Sequence, residues 1–201
     1  RFMGTEITGK TLGIIGCGNI GAIVADRAQG LKMKVVAYDP FLTPEHARRI
    51  GVEKVELEEL LAAADFISLH TPLTDQTRNI LSADALNRTK KGVRIVNCAR
   101  GGLVVEADLK AALESGHVAG AALDVFEEEP AKENALFGVE NLVCTPHLRD
   151  RGIAELFIHG TLEDLEILLQ RSRLLEKRRR HGDCRSRVIA PALGRVRARP
   201  R

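Results

Sequence analysis

The sequence lacks closely spaced cysteines, long apolar runs and a recognisable secretion signal. Its four cysteines, at positions 17, 98, 144 and 184, are widely scattered and form no CxxC pair. Their scatter argues against a disulfide framework or a zinc site and favours a reducing compartment, so we expect a cytoplasmic protein. No apolar run approaches the roughly 20 residues that span a bilayer, and the polar N-terminal stretch is unlike a signal peptide. We therefore expect no membrane partner.

The composition excludes wholesale disorder and collagen-like repeats, because 44% of the residues are hydrophobic and 28% are charged. The length of 201 residues suits one domain of about 150 residues with an appendage, or two small domains. Position 1 is an arginine and not a methionine, so we expect the sequence to begin inside a longer parent chain.

The formal net charge of +3 hides a strong asymmetry along the chain. Residues 1–170 carry 18 basic and 25 acidic side chains, whereas residues 171–201 carry 12 basic and 2 acidic side chains. The kind of basic residue also changes: residues 1–148 contain 8 Arg and 8 Lys, and residues 149–201 contain 13 Arg and 1 Lys. So sharp a change of composition indicates a boundary.

We accordingly predict a globular domain over 1–148, an atypical helical extension over 149–181 and an Arg-rich disordered tail over 182–201. Clustered arginines can bind phosphates. However, the sequence has no aromatic residue after Phe157 and no recognisable nucleic-acid-binding fold there, so we expect no nucleic-acid partner. Our preferred interpretation is that the chain from about Arg149 onward is a frame-changed or otherwise unrelated terminus.

Short apolar runs alternate with helical patterns along the first three quarters of the chain. The predicted strands cover residues 11–15, 34–38, 66–69, 93–97, 119–123 and 142–145. The predicted helices cover residues 20–30, 44–50, 57–64, 106–115 and a short segment that ends at Leu86 and is capped by Ser82. Buried strands separated by helices predict the α/β class, with a doubly wound parallel sheet covered on both faces.

A glycine-rich motif, GCGNIG at 16–21, leaves the first predicted strand and opens the first predicted helix. In that context Gly16 permits the tight turn, Gly18 lets the backbone approach a pyrophosphate, and Gly21 allows close packing of helix on strand. The second predicted strand ends at Asp39, whose carboxylate can bind the ribose diol of adenosine and would repel a 2′-phosphate. The pattern predicts a dinucleotide site that prefers NAD to NADP; a turn residue before a proline is the alternative for Asp39.

Polar residues also follow the later strands, where an open α/β sheet has its ligand crevice. Arg100 follows one strand between small residues, Asp124 closes another and leads to Glu129, and His147 closes the last. Together they suggest an anion clamp with an acid/base pair. Taken singly, each could be idle: Arg100 as a surface residue, Glu129 as part of a solvated acidic run, and His147 as a turn histidine.

These motifs resemble those of the D-isomer-specific 2-hydroxyacid dehydrogenase family. The motifs that carry the resemblance are GCGNIG at 16–21, HTPLT at 70–74, NCARGG at 97–102, ALDVFEEEP at 122–130 and TPH at 145–147. Their order along residues 1–148 makes the resemblance specific. It implies a Rossmann-like NAD-binding domain and an NAD-dependent oxidoreductase that transfers hydride between NAD and a D-2-hydroxy acid.

The resemblance also implies residue roles. Arg100 would hold the carboxylate and carbonyl oxygen of the substrate, His147 would exchange the hydroxyl proton, and Glu129 would pair with His147 and orient it. The implied cofactor-binding residues are Gly16, Gly18, Asn19, Ile20, Gly21, Asp39, His70, Thr71, Pro72, Cys98, Ala99 and Asp124. Cys98 is expected to line the pocket and not to act as a nucleophile. We expect no metal, because Arg100 and protonated His147 can stabilise the developing charge.

The chain departs from the family pattern in two respects. We expect the family's substrate-binding domain, which is built mainly from sequence before the NAD-binding domain, to be missing from the 201 residues, and bulky charged residues at 148–152 (LRDRG) replace a small turn. We therefore expect the 201-residue chain to bind NAD(H) weakly and to turn over slowly or not at all.

The substrate implied by the resemblance is 3-phospho-D-glycerate, oxidised at the entry to serine biosynthesis. One alternative is another D-2-hydroxyacid dehydrogenase, such as a glyoxylate or hydroxypyruvate reductase. A second is a non-catalytic, NAD-sensing module like a co-repressor. A homodimer formed through the NAD-binding domain is a further expectation.

Overall fold

Strands and helices alternate along the part of the chain that the computed structural model describes, which comprises residues 4–129, 131 and 134–145. The strands are β1 (Thr11–Ile15), β2 (Lys34–Tyr38), β3 (Glu53–Lys54), β4 (Phe66–Leu69), β5 (Val93–Asn97), β6 (Val118–Leu123) and β7 (Leu142–Cys144). The helices are α1 (Asn19–Gly30), α2 (Pro44–Arg49), α3 (Leu57–Ala63), α4 (Ala83–Asn87) and α5 (Glu106–Glu114). His147 and the regions predicted over 149–181 and 182–201 lie outside the described residues.

The strands form one sheet in the order β3-β2-β1-β4-β5-β6-β7, and every neighbouring pair is parallel. Strand order reverses at β1, because the chain first adds β2 and β3 on one side and then β4 to β7 on the other. Connections leaving β1 and β4 run to opposite faces, which opens a crevice beyond the carboxyl ends of these two strands. The prediction of a doubly wound parallel α/β sheet is confirmed.

Alternation of side chains along β1 builds a core on each face of the sheet. Leu12 and Ile14 are buried in the apolar cluster that includes the inner face of α1, and Ile15 is buried in the larger cluster on the other face. Gly13 lies on the same face as Ile15, and a β-carbon placed on it would come within 2.6 Å of a δ-carbon of Leu60 in α3. The glycine therefore lets α3 pack directly on the central strand.

The N-termini of two helices are capped in different ways, one by a neighbouring residue and one by a residue distant in the sequence. In α2 the cap is local, since His46 N donates to the hydroxyl of Thr43 at 3.2 Å. Ser82 precedes α4 as predicted, but its side chain makes no capping hydrogen bond. Instead Ala83 N donates to Oδ2 of Asp108 at 2.7 Å. Ser82 is therefore the N-cap residue, as predicted, but the side-chain hydrogen bond at this helix start comes from a carboxylate of α5.

The short edge strand β3 is the element that the sequence pattern did not predict. Its two residues, Glu53 and Lys54, are both exposed, so they give no apolar alternation that would indicate a strand. Pairing with β2 and a hydrogen bond from Lys54 Nζ to the Leu42 carbonyl at 2.7 Å hold it in the sheet. Within the described residues, no helix combines the length and the apolarity needed to cross a membrane.

Candidate functional site

The glycine loop turns sharply at Gly16, directly after β1. Gly16 has φ of 89°, in the left-handed region that favours glycine. A β-carbon placed on it would lie 2.8 Å from the carbonyl carbon of His70 and 2.8 Å from Thr71 N. Gly16 N donates to the Tyr38 carbonyl at 2.9 Å. The loop is thus wedged between the ends of β2 and β4, at the point where strand order reverses.

The same loop opens α1 with its N-terminus uncovered by any side-chain cap. Gly18 is the N-cap residue, and a β-carbon on it would meet nothing within 4 Å. Asn19 and Ile20 begin the helix and are exposed. A β-carbon on Gly21 would collide with the Gly16 carbonyl oxygen, so the glycine keeps the first turn tight against the loop. The backbone amides and dipole at such an N-terminus favour a phosphate, and the open space beside Gly18 fits one.

Asp39 follows β2 and joins the glycine loop to the next turn. Its Oδ2 accepts a hydrogen bond from Cys17 N at 2.8 Å, and its Oδ1 accepts one from Phe41 N at 2.8 Å. The turn role that was the alternative for Asp39 is therefore present together with a contact to the glycine loop. Each carboxylate oxygen has a further lone pair, which leaves capacity to bind a ribose diol.

His70 and Thr71 follow β4 and line the crevice on its other side. Burial lowers the pKa of His70, so the imidazole is neutral at pH 7. Its Nε2 lies 2.8 Å from the hydroxyl of Ser68, which fixes the ring. Pro72 is exposed, and its carbonyl accepts a hydrogen bond from the hydroxyl of Thr77 at 2.6 Å. These hydrogen bonds hold the segment in place beside the glycine loop.

A buried asparagine shapes the turn that presents Arg100 after β5. The side-chain Nδ2 of Asn97 donates to the Arg100 carbonyl at 2.9 Å, and its Oδ1 accepts from Ala99 N at 3.0 Å. The guanidinium of Arg100 is exposed and donates to the Ala99 carbonyl at 2.6 Å. Both amide atoms of Asn97 are thus used to hold the backbone, and the cationic end of Arg100 remains at the surface.

The segment after β6 packs directly on the Arg100 turn. A β-carbon placed on Gly101 would collide with the Phe126 carbonyl and lie 3.0 Å from Glu127 N. The carboxylate of Glu129 turns back on this segment, since its Oε1 accepts a hydrogen bond from Phe126 N at 3.1 Å. The close approach at Gly101 brings the backbone segments that carry Arg100 and Glu129 together.

Asp124 and Cys98 lie at the neighbouring ends of β6 and β5. Asp124 is buried, its N donates to the Asn97 carbonyl at 3.0 Å, and its Oδ1 accepts from the hydroxyl of Thr145 at 2.5 Å. Cys98 reaches the surface, but crowding protein atoms strip water from the thiol, and with the nearby charge of Asp124 they raise its pKa to about 11. A thiol that holds its proton so firmly is a poor nucleophile at pH 7, in line with the predicted pocket-lining role.

The predicted residues thus fall on one edge of one sheet. The glycine loop, Asp39 and His70 meet around β1, while Cys98, Arg100, Asp124 and Glu129 follow β5 and β6. His147 lies outside the described residues, so its position relative to Glu129 stays a prediction. Among the described residues, no group of three or more His, Cys, Asp or Glu side chains could hold a metal ion.

Sequence reasoning missed two residues that shape this edge. Asn97 belongs to the NCARGG motif at 97–102 but is given no role from sequence, although an asparagine just before a turn often hydrogen-bonds to the backbone of that turn. Glu106 was predicted only as the first residue of a helix. Its hydrogen bonds reach 21 and 28 residues along the chain, and no local pattern indicates contacts at that separation.

The sheet order, the glycine loop at the reversal point and the acidic residue after β2 define a dinucleotide-binding domain of the Rossmann type. Comparison with known proteins agrees. Residues 1–148 match the family described as "D-isomer specific 2-hydroxyacid dehydrogenase, NAD binding domain". The chain therefore belongs to the D-isomer specific 2-hydroxyacid dehydrogenase family, which confirms the resemblance and NAD as the family's cofactor.

The chain is similar to D-3-phosphoglycerate dehydrogenase of Bacillus subtilis, with 53% identity over 147 residues, and to that of Rattus norvegicus, with 53% identity over 148 residues. These alignments cover 73% and 74% of this chain but only 28% of each relative. Among solved structures, a glyoxylate reductase from Paecilomyes thermophila superposes with a TM-score of 0.68 at 42% identity, covering 73% of this chain and 44% of that one. The chain spans less than a third of the length of these curated relatives.

Proposed function

We propose that residues 1–148 form the cofactor-binding part of an oxidoreductase that transfers hydride between NAD and a D-2-hydroxy acid, with 3-phospho-D-glycerate as the substrate. The observation that carries the proposal is the carboxylate of Asp39, hydrogen-bonded to the glycine loop where strand order reverses. The names of the curated relatives at 53% identity support the choice of substrate.

NAD, when bound, supplies the carbon centre that accepts the hydride. The chain's own residues bind and orient it. Backbone amides at Gly18, Asn19 and Ile20 hold the pyrophosphate, with the positive end of α1 behind them. The carboxylate of Asp39 accepts hydrogen bonds from the ribose diol and repels a 2′-phosphate, which makes the site selective for NAD.

The substrate end of the site depends on Arg100, Glu129 and His147. Arg100 is always charged and offers paired N–H groups that match a carboxylate, so it holds the acid group of the substrate. His147 takes the proton of the substrate hydroxyl during oxidation and returns it during reduction. Glu129 favours the charged imidazole and fixes its orientation. Pro72, Cys98, Ala99 and Asp124 line the pocket between these two ends.

A glyoxylate or hydroxypyruvate reductase is the second candidate, and the likeness to the solved glyoxylate reductase favours it. Both candidates share the cofactor site and the acid-binding Arg100. Their substrates differ in size and charge, since 3-phosphoglycerate carries a phosphorylated third carbon and glyoxylate has only two carbons. Turnover of a longer parent enzyme that contains this domain, measured with 3-phosphoglycerate and NAD and compared with glyoxylate and NADH, separates them.

We further propose that the cofactor-binding domain ends near residue 148, followed by the extension over 149–181 and the tail over 182–201. The family match supports this boundary, since it ends at residue 148. The wide scatter of the cysteines along the sequence, with no CxxC pair, supports a reducing compartment such as the cytoplasm. The proposed homodimer is tested by light scattering on the purified chain.

Titration of the purified chain with NADH by calorimetry, with NADPH in parallel, tests the proposed cofactor site. We expect weak, saturable NADH binding and weaker NADPH binding. Gly18→Val fills the open space at the start of α1 and abolishes binding, whereas Gly30→Val, at the far end of the same helix and equally open, preserves it. Asp39→Ala weakens NADH binding, whereas Asp26→Ala, an exposed change on α1, does not. Equal binding of both cofactors, or binding that survives Gly18→Val, contradicts the proposal.

A further inference from the structure

The segment that carries Glu129 follows β6. Between β6 and β7 the described residues, 124–129, 131 and 134–141, lie in bends, turns and irregular structure and not in a helix or strand. Catalytic groups on such a segment need supports from rigid elements, since a displacement of about 1 Å can cost on the order of a hundredfold in rate. One support is the close approach of Gly101 to Phe126. A second comes from a carboxylate that has no role in the proposed function.

That carboxylate belongs to Glu106, in the first turn of α5. Its Oε1 accepts a hydrogen bond from Glu127 N at 2.8 Å, and its Oε2 accepts one from Nδ2 of Asn134 at 2.7 Å. The side-chain oxygen of Asn134 in turn accepts from Leu136 N at 2.9 Å. Glu106 therefore contacts the chain two residues before Glu129 and five residues after it.

The helix that carries Glu106 is a firm base for these contacts. Leu109, one turn further on, is completely buried in the larger core. A carboxylate in the first turn of a helix is also stabilised by the helix dipole. The bonds from Glu127 and Asn134 are charge-assisted, and such bonds are roughly twice as strong as neutral ones.

We propose that Glu106 is a positioning residue: by binding both sides of the segment that carries Glu129, it holds that carboxylate in place for catalysis. The inference rests on the proposed function for its catalytic consequence, although the contacts stand without it. A carboxylate is required, because both of its partners are donors. An amide at this position would accept from only one of them and present its own N–H groups to the other.

This requirement can be tested by exchanging the chemistry of Glu106 and Asn134. In Glu106→Gln the new side-chain NH2 group faces the Nδ2 donor of Asn134. In Asn134→Asp two carboxylates face each other. In the double variant the new amide donates to the new carboxylate and still accepts from Glu127 N, so both contacts return. Glu114→Gln is the matched control, since this residue lies at the other end of α5 in a loose, exposed pair with Lys110 at 3.9 Å.

The first readout is the hydrogen exchange of the Glu127 amide in the full chain, measured by NMR. We expect Glu106→Gln to speed this exchange by about tenfold, because the amide oxygen is a neutral and weaker acceptor for Glu127 N and the new N–H groups face the Nδ2 donor of Asn134, which displaces the side chain. The double variant removes the conflict at residue 134 and restores most of the protection. Glu114→Gln leaves the exchange of Glu127 unchanged, and the amide of Ile95 in the central sheet exchanges equally in all variants. Acceleration at Ile95 as well as Glu127 would mean a general loss of stability and overturn a positioning role.

The second readout is kinetic. It is made on a longer parent enzyme that joins this domain to a substrate-binding domain, where we expect Glu106→Gln to lower kcat of the NAD-dependent reaction while NADH affinity stays the same, and the double variant to recover kcat. Fast exchange of Glu127 with unchanged kcat would overturn the inference, as would unchanged exchange in Glu106→Gln. If the unaltered chain binds no NADH, the proposed function fails instead, and the exchange data still decide whether Glu106 holds the segment.

Discussion

Replacing Gly16 by alanine should destabilise the protein more than the same change at any open glycine of similar backbone conformation. Two costs add at this position. Alanine in the left-handed region costs about 1–2 kcal/mol. The new β-carbon would also lie 2.8 Å from the His70 carbonyl carbon and Thr71 N and 2.9 Å from the His70 oxygen, and overpacking against backbone costs about 1–3 kcal/mol more. The total loss in the free energy of unfolding is therefore roughly 2–5 kcal/mol.

Gly92 provides the matched control, because it has the same φ of 89° and a β-carbon on it would meet nothing within 4 Å. Gly92→Ala should lose only the conformational part, about 1–2 kcal/mol. Urea unfolding followed by circular dichroism suits a chain with no tryptophan and one tyrosine. Calorimetry should find NADH binding lost in Gly16→Ala and kept in Gly92→Ala. If the two variants are equally stable, the wedge of the glycine loop against β4 is not rigid and the reasoning fails.

Two predictions concern protons. Cys98, with a pKa of about 11, should react with iodoacetamide slowly at pH 8 and faster as the pH rises to about 11. Asp124→Asn should speed the reaction at pH 8. Peptide mass spectrometry measures the alkylation, and a pH dependence like that of an ordinary thiol would contradict the prediction. Burial acts to raise the pKa of Asp65, but hydrogen bonds from Thr11 N and Lys90 outweigh it and lower the pKa below 3.8. Asp65 therefore stabilises the fold above that pH and less as pH falls through its lowered pKa, so Asp65→Asn should cost about 1–2 kcal/mol at pH 7. Urea unfolding should find a smaller cost at pH 2 than at pH 7, and an equal cost at both pH values would refute the assignment.

Local patterns were enough to predict most of the fold. The strand before the glycine loop, the helix after it and the carboxylate at Asp39 all follow from short-range periodicity and from a motif with a fixed backbone role. The two-residue strand β3 escaped because Glu53 and Lys54 carry no apolar signal, and only pairing with β2 makes them a strand.

The supports of the site were harder to predict because they are made between distant parts of the chain. Asp108 caps α4 from 25 residues away, whereas a local pattern favours the adjacent Ser82. Glu106 resembles any acidic residue at a helix start until the fold brings Glu127 and Asn134 to it. Motifs reveal groups that meet ligands, since those groups occupy stereotyped backbone positions. Motifs do not reveal the residues that hold these ligand-binding groups in position.

The double duty of Asp39 has a consequence for redesign. The carboxylate that we propose to select NAD over NADP also accepts a hydrogen bond from the Cys17 amide of the glycine loop. On that proposal, selectivity and affinity are coupled at one side chain, because removing the negative charge to admit a 2′-phosphate also loosens the loop that would hold the pyrophosphate. A cofactor switch in this domain has to supply a new acceptor for Cys17 before it can introduce a cation for the extra phosphate.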